Sequence, residues 1–169
     1  MNRLFPLIAA FAFPTIALAQ DTGTETAWSV FIEEDPTQCW VVSSPVGTVA
    51  TRDGADVTAI INRGEVMFFI SFWPSDGRLA EVSYTGGYPF ADGSTVSVVI
   101  GEASFDLFTE GEMSWAASPT EDDRIITAMR RGAEAVVTAS SRRGTEVADT
   151  FSLLGFTAAV EDAEARCGA

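Results

Sequence analysis

The chain consists largely of short runs of alternating apolar and polar residues separated by turn-forming residues. This spacing is typical of an antiparallel β-sandwich or barrel, and it predicts about ten strands. The run 66–73 is apolar on both alternating sets, which predicts a central strand covered on both faces. Val57–Ile61 is the weakest candidate. The predicted strands are 28–32, 39–42, 57–61, 66–73, 79–85, 95–100, 103–108, 113–116, 135–140 and 147–154.

Two segments have helical rather than strand periodicity. In the first, 120–131, Thr120 is the predicted N-cap and the acids at 121–123 occupy the first turn, where negative charge favours a helix. Capping explains these three acids, and a cation site is the alternative interpretation. The second segment, 156–167, has an apolar stripe that ends at Cys167.

The N-terminus has the features of a secretory signal. Arg3 is followed by an apolar stretch that closes with Ala17-Leu18-Ala19, a small-x-small pattern that precedes a cleavage point. The stretch is shorter than the roughly 18–20 residues that span a bilayer, and two prolines interrupt it. We therefore predict a cleaved signal peptide at 1–19 and one mature domain at 20–169, without a transmembrane segment, located in the periplasm or secreted.

The chain has two cysteines, Cys39 and Cys167. In an exported protein they are expected to form a disulfide bond, because the environment is oxidising. A catalytic thiol is the alternative, but it needs a base, and the chain has no histidine.

The composition excludes most familiar catalytic sites. The ten basic residues are all arginines, and twenty-four acidic residues give a net charge of −14. Without histidine or lysine, the chain cannot form an imidazole-based triad, a P-loop or a Schiff base. The negative charge also argues against nucleic-acid partners. We assign no catalytic, cofactor-binding or metal-binding residue. A carboxylate-dependent enzyme stays as an alternative, with Glu102, Asp106 and Glu110 as its candidates.

Two polar loops are candidates for contact with a partner. The corner Gly86–Ser94 contains Tyr88, Pro89 and Phe90, whose rings either plug one end of the sandwich or face a partner. The turn at 142–145 is either a simple hairpin tip with a positive-φ glycine or an anion contact. The candidate interaction surface is Tyr88, Pro89, Phe90, Arg142 and Arg143.

Several segments, in order along the predicted mature chain, together resemble the invasion-associated locus B (IalB) family of exported bacterial proteins. These segments are 38–40, 43–45, 87–90, 93–94, 105–108, Trp115, 128–132, 141–145, 149–153, 155–156 and Cys167. The resemblance implies an immunoglobulin-like β-sandwich in the periplasm or outer envelope and a role in the invasion of host cells. It implies no catalytic residue.

The sequence therefore favours a non-enzymatic periplasmic or secreted β-sandwich that binds an envelope or host protein. A carboxylate-dependent hydrolase or glycan-active enzyme is one alternative. A structural protein that stabilises the envelope without a discrete ligand is the other.

Overall fold

The computed structural model describes residues 26–35 and 37–167. The predicted signal peptide lies outside these residues. Within them the fold is mainly β, with eleven strands and two α-helices. The elements are β1 (Ser29–Glu34), β2 (Thr37–Ser43), β3 (Gly47–Arg52), β4 (Ala55–Asp56), β5 (Met67–Trp73), β6 (Arg78–Thr85), β7 (Thr95–Ile100), β8 (Ala103–Glu110), β9 (Met113–Trp115), α1 (Pro119–Met129), β10 (Glu134–Ser140), β11 (Glu146–Ser152) and α2 (Phe156–Cys167).

The strands form one antiparallel sheet that folds over on itself. Their order is β1-β2-β5-β6-β9-β8-β7-β10-β11-β3-β4. Strands that are not neighbours in this order meet through their side chains: the ring centroids of Phe68 on β5 and Phe151 on β11 are 5.6 Å apart, and those of Tyr84 on β6 and Phe151 are 6.1 Å apart. The predicted sandwich is thus confirmed, with two layers that are continuous through hydrogen-bonded strands.

The apolar run at 66–73 forms β5, a central strand between β2 and β6. Phe68, Ile70 and Phe72 are buried, whereas Met67 and Phe69 on the opposite face are half-buried. β5 is therefore central, as predicted, but only the face that carries Phe68, Ile70 and Phe72 is fully buried, because the core between the two layers lies on that side.

The second helix, α2, is joined covalently to the sheet. It packs on β1, β2 and β5, and Phe156 at its start lies edge-on to Trp28 with ring centroids 4.9 Å apart. The predicted disulfide between Cys39 and Cys167 is present, with Cα atoms 6.1 Å apart. Within the described ranges, no helix has the length and apolar character that crossing a membrane requires.

The first helix, α1, begins earlier than predicted. Ser118 is the N-cap, and its Oγ accepts a hydrogen bond from the Glu121 amide at 3.3 Å. The assignment of Thr120 as the cap is wrong, because Pro119 already occupies the first helical turn, where no amide donor is needed. Asp122 does more than favour the helix start: it is buried, and its Oδ1 accepts the amide proton of Val82 at 2.8 Å. α1 thereby covers part of β6.

Strands β3 and β4 escaped prediction, and the predicted strand at Val57–Ile61 is wrong. Residues Thr58–Ile60 form a 3₁₀ turn instead. The side chain of Asp56 accepts the Thr58 amide proton at 2.8 Å, and this bond favours a turn over an extended chain. The β3 sequence GTVATR contains small and polar residues with weak alternation, and pairing with β11 establishes the strand.

Candidate functional site

The two candidate loops of the sequence lie side by side. Phe90 forms an isolated antiparallel bridge with Ser141. The Arg142 amide donates to the Pro89 carbonyl at 3.0 Å, and the Ala91 amide donates to the Ser140 carbonyl at 2.9 Å. The corner at 86–94 and the turn at 142–145, the arginine turn, are therefore one structural unit.

Within the corner, the two aromatic residues differ in their exposure. Phe90 is 2% exposed, and its ring lies 6.1 Å from that of Tyr84 in a stacked arrangement. Tyr88 is half-buried and edge-on to Phe90 at 5.5 Å, while Pro89 is exposed. Phe90 therefore follows the plug alternative, because its ring completes the core at this end of the sandwich, and its assignment to the candidate interaction surface is wrong.

The arginine turn is a hairpin tip, as predicted. It connects β10 to β11, and Gly144 has a φ of 76°. Arg142 and Arg143 are both exposed. Arg142 forms a 3.2 Å ion pair with Asp92, whose side chain is also exposed. Exposed ion pairs of this kind contribute little to stability, and both arginine side chains remain accessible to solvent.

A cleft of about 850 Å³ lies between these loops and the segment 57–64. Four of the ten arginines line it: Arg52, Arg63, Arg142 and Arg143. Its apolar lining comes from Val57, Ile60, Ile61, Pro89 and Val147. Among the residues that the structure places in the lining, none is acidic. The cleft thus has the opposite charge to the chain as a whole.

Two glycines hold the walls of the cleft together. Gly87 has a φ of 71°, and the Gly64 amide donates to its carbonyl oxygen at 2.8 Å. A Cβ on Gly87 would lie 2.5 Å from the Gly64 carbonyl oxygen, so no other residue fits without displacing the backbone. The segment 57–64 and the corner are therefore in direct backbone contact.

Behind this contact, Arg63 is held in a buried ion pair with Asp149. The Asp149 carboxylate is 0% exposed and accepts both Nη1 and Nη2 of Arg63 at 2.6 Å. It also accepts the hydroxyls of Thr48 at 2.6 Å and Tyr84 at 2.7 Å. The hydrogen bond with Asp149 raises the pKa of Arg63. This network links β3, β6, β11 and the cleft wall, and it neutralises the charge of Arg63.

The two tyrosines near this ion pair are both kept protonated. Burial, and then the negative charge of Asp149, raises the pKa of Tyr84 and of Tyr88 above the usual value. The Tyr84 hydroxyl donates to Asp149. The Tyr88 hydroxyl is buried but has no hydrogen-bond partner among the residues that the structure describes. Buried polar groups are normally paired, so this hydroxyl is an unused donor in the cleft wall.

Arg52 and Arg143 have no acidic partner within the described part of the chain. Nε and Nη2 of Arg52 donate to the hydroxyl of Thr145 at 2.9 and 2.6 Å. These two bonds orient the guanidinium but leave its charge uncompensated. The cleft therefore has two uncompensated positive charges, and a third on Arg142 that Asp92 compensates only at the surface.

The acids considered for catalysis do not meet in the cleft. Glu102, Asp106 and Glu110 are exposed on the turn before β8 and along β8 itself. A spacing of four residues along a strand separates such positions by about 13 Å, beyond the roughly 5–10 Å of paired glycosidase carboxylates. In the described ranges there is also no cluster of three or more His, Cys, Asp or Glu residues that could hold a metal ion.

Sequence reasoning missed Arg52, Arg63 and the buried partners of Arg63. The available signal was the position of Asp149, since it alternates along one strand with Val147 and Phe151. An acid on the inward face of a strand predicts a buried, paired charge. Its partner, Arg63, lies 86 positions away in the sequence. The alternation of apolar and polar residues along one strand does not show which distant residue will lie beside it.

Comparisons with known proteins agree with the fold. The family described as invasion associated locus B (IalB) protein matches residues 73–164, which include both loops of the cleft. A solved structure of invasion associated protein b from Bartonella henselae is similar, with a TM-score of 0.56 and 15% identity over 83% of this chain and 93% of that one. At this identity the likeness concerns the fold. A search of curated proteins found no match. The family match spans more than half of the chain, and the chain therefore belongs to the invasion associated locus B (IalB) family.

Proposed function

We propose that this protein is a non-enzymatic, exported protein that binds another protein at the bacterial envelope or on a host cell. The contact would be made through the rim of the cleft, where the exposed Arg142 and Arg143 lie. The observation that carries the proposal is the concentration of four arginines in one cleft of a chain with a net charge of −14. Charge complementarity steers association and excludes wrong partners.

The location of the protein outside the cytoplasm has separate support. A disulfide bond joins Cys39 and Cys167, and such bonds persist in oxidising compartments. The N-terminal sequence agrees with export through a cleaved signal peptide at 1–19. We propose the periplasm or the extracellular medium as the site of action, with residues 20–169 as the mature domain.

A capture experiment tests the binding role. The mature domain is immobilised and exposed to envelope extract at several salt concentrations, alongside the double variant Arg142→Gln/Arg143→Gln. The control is Arg124→Gln/Arg131→Gln, which removes the same charge from the exposed side of α1 and the residues after it. We expect one protein to be enriched by the wild type and the control and lost with the cleft variant. Enrichment that is equal for all three baits would reject the cleft as the binding surface.

A further inference from the structure

We propose that the cleft binds the carboxylates of a short acidic peptide segment of the partner, with Arg143 and Arg52 as the receiving cations and the apolar wall as the site for a neighbouring side chain. This inference rests on the proposed function, and it adds the chemistry of the group that is recognised.

The cleft has more positive than negative charge, and this excess indicates an anionic ligand. Arg63 is neutralised by Asp149, and Arg142 shares its charge with Asp92. Arg52 and Arg143 form no ion pair among the described residues. Like charges in one cleft repel each other, and this repulsion is relieved when an anion binds between them. A planar guanidinium matches the geometry of a carboxylate and donates two parallel hydrogen bonds to it.

The orientation of Arg52 supports its role in binding a carboxylate. Its two hydrogen bonds to the buried Thr145 hydroxyl hold the guanidinium at the cleft before any ligand arrives. A side chain that is fixed in advance loses less conformational entropy on binding. Arg52 is thus a preorganised cation, whereas Arg143 lies on the exposed hairpin tip and can adjust to the ligand.

The apolar side of the cleft favours a peptide over a bare inorganic anion. Ile60 is 79% exposed and lies in the same lining as Val57 and Val147. A bare inorganic anion such as phosphate would leave this surface in water, whereas a peptide can place an apolar side chain against it and a carboxylate against the arginines. Removing such a side chain from water adds a favourable hydrophobic contribution to binding.

The size and charge of the whole protein limit the ligand to a short segment. Clefts of about 300–1,000 Å³ hold ligands of small-molecule size, and this one measures about 850 Å³. A long polyanion such as nucleic acid, or an anionic membrane, would extend beyond the cleft and meet a chain with a net charge of −14.

The unpaired hydroxyl of Tyr88 is an independent observation in the same wall. It is buried and lacks a partner among the described residues, next to the buried pair of Arg63 and Asp149. Because its oxygen is shielded from solvent, a ligand oxygen would reach it only if the Tyr88 side chain turned toward the cleft. The exposed Arg52 and Arg143 are therefore the groups that meet the ligand first.

The test uses the mature protein and two synthetic peptides, acetyl-Leu-Glu-Ala-Glu-Leu-amide and the same peptide with Gln in place of both Glu. Binding is followed by amide NMR shifts and by fluorescence anisotropy at low and high salt. We expect the acidic peptide to shift the amides of Gly87 and residues 142–145 and to bind about ten-fold more tightly than the Gln peptide, which corresponds to about 1.4 kcal/mol. Raising the salt concentration should weaken it.

Matched variants distinguish the cleft from general charge effects. Arg143→Gln should weaken the binding of the acidic peptide about three-fold, because it removes one of the two arginine–carboxylate contacts that together give the ten-fold preference. Arg131→Gln removes an equally exposed arginine outside the cleft and should leave the affinity unchanged. Equal loss in both variants, equal binding of both peptides, or shifts produced by inorganic phosphate but not by the acidic peptide would overturn the inference.

The two proposals fail separately. If a partner is captured through the cleft but the acidic peptide does not displace it, the binding role stands and the carboxylate inference is rejected. If the acidic peptide binds at the cleft as expected and no partner is captured, the inference is supported and the proposed function loses its support.

Discussion

The two ends of β11 are stabilised in different ways. At its end, Leu153–Gly155 leads into α2, which is held by apolar packing around Trp28 and by the disulfide bond. At its start lies the cleft, whose walls are held by the contact between Gly64 and Gly87 and by the buried ion pair that Asp149, in the middle of the strand, forms with Arg63. The helical end is thus held by a covalent bond and apolar packing. The cleft end is held by polar contacts, and two of its arginines, Arg52 and Arg143, have no acidic partner among the described residues. The stabilising contacts of the helical end thus lie away from the candidate binding surface, whereas at the cleft end Arg63, Gly64 and Gly87 both stabilise the fold and line the cleft.

The largest effect is expected at the helical end. Replacing both Cys39 and Cys167 with Ser should lower the free energy of unfolding by about 4–5 kcal/mol, because the bond closes a long loop and restricts the unfolded chain. Urea denaturation measures this loss, and reduction of the wild type with a thiol should reproduce it. A loss below about 1 kcal/mol would show that packing alone secures α2. Peptide binding at the cleft should be retained in the folded variant.

The next effect concerns the cleft end. Asp149→Asn leaves the guanidinium of Arg63 with no charge partner in a largely buried position, which should lower the free energy of unfolding by about 3–5 kcal/mol. The double variant Arg63→Met/Asp149→Leu should lose less, since no unpaired charge remains. Thermal and urea unfolding of the wild type, the single variants Arg63→Met and Asp149→Leu and the double variant measure the coupling. If the two changes prove additive, the ion pair does not hold the wall.

Asp122 gives a smaller effect that depends on pH. Burial raises the pKa of Asp122 to about 6, and the amide of Val82 partly opposes this. In the unfolded chain the carboxyl titrates near 3.8. Between these values the folded state binds more protons, so the contribution of Asp122 to stability falls as pH rises from about 4 to about 6 and is then constant. Asp122→Asn should remove this slope from unfolding curves, and NMR titration should place the midpoint near 6. A midpoint near 4 would contradict it.

The smallest effect on stability is expected for the arginines at the cleft rim. Arg143→Gln should change the free energy of unfolding by no more than about 0.5 kcal/mol, because its side chain is exposed and unpaired in the described structure. Arg131→Gln is the matched control and should behave alike. The two variants should differ in peptide binding alone. A loss above 1 kcal/mol for Arg143→Gln would mean that the rim is part of the scaffold.

The sequence allowed prediction of those features that local patterns encode. Alternation in 95–100 and 135–140 placed β7 and β10, and helical spacing placed α2. Compartment and cysteine count predicted the disulfide. Local patterns failed at β3, whose small and polar residues form a strand only because β11 pairs with them.

The candidate site could be predicted only in part. Arg142, Arg143 and the corner stood out because an arginine pair and a cluster of aromatic and turn residues are visible locally. The cleft between them needs Arg52 and Arg63 as well, which come from a different part of the chain. Their convergence follows from the antiparallel register of β3 on β11 and from the contact of Gly64 with Gly87. Such long-range contacts have no local signature.

The contact between Gly64 and Gly87 also bears on how such a protein can change over evolutionary time. It fixes the two walls through backbone atoms, so the width of the cleft does not depend on the side chains at the rim. Substitutions at exposed positions such as Arg143 and Pro89 can then alter the charge and shape that a ligand meets, while the two walls of the cleft keep their positions. We expect relatives that keep both glycines to share the geometry of the cleft while differing in what they bind.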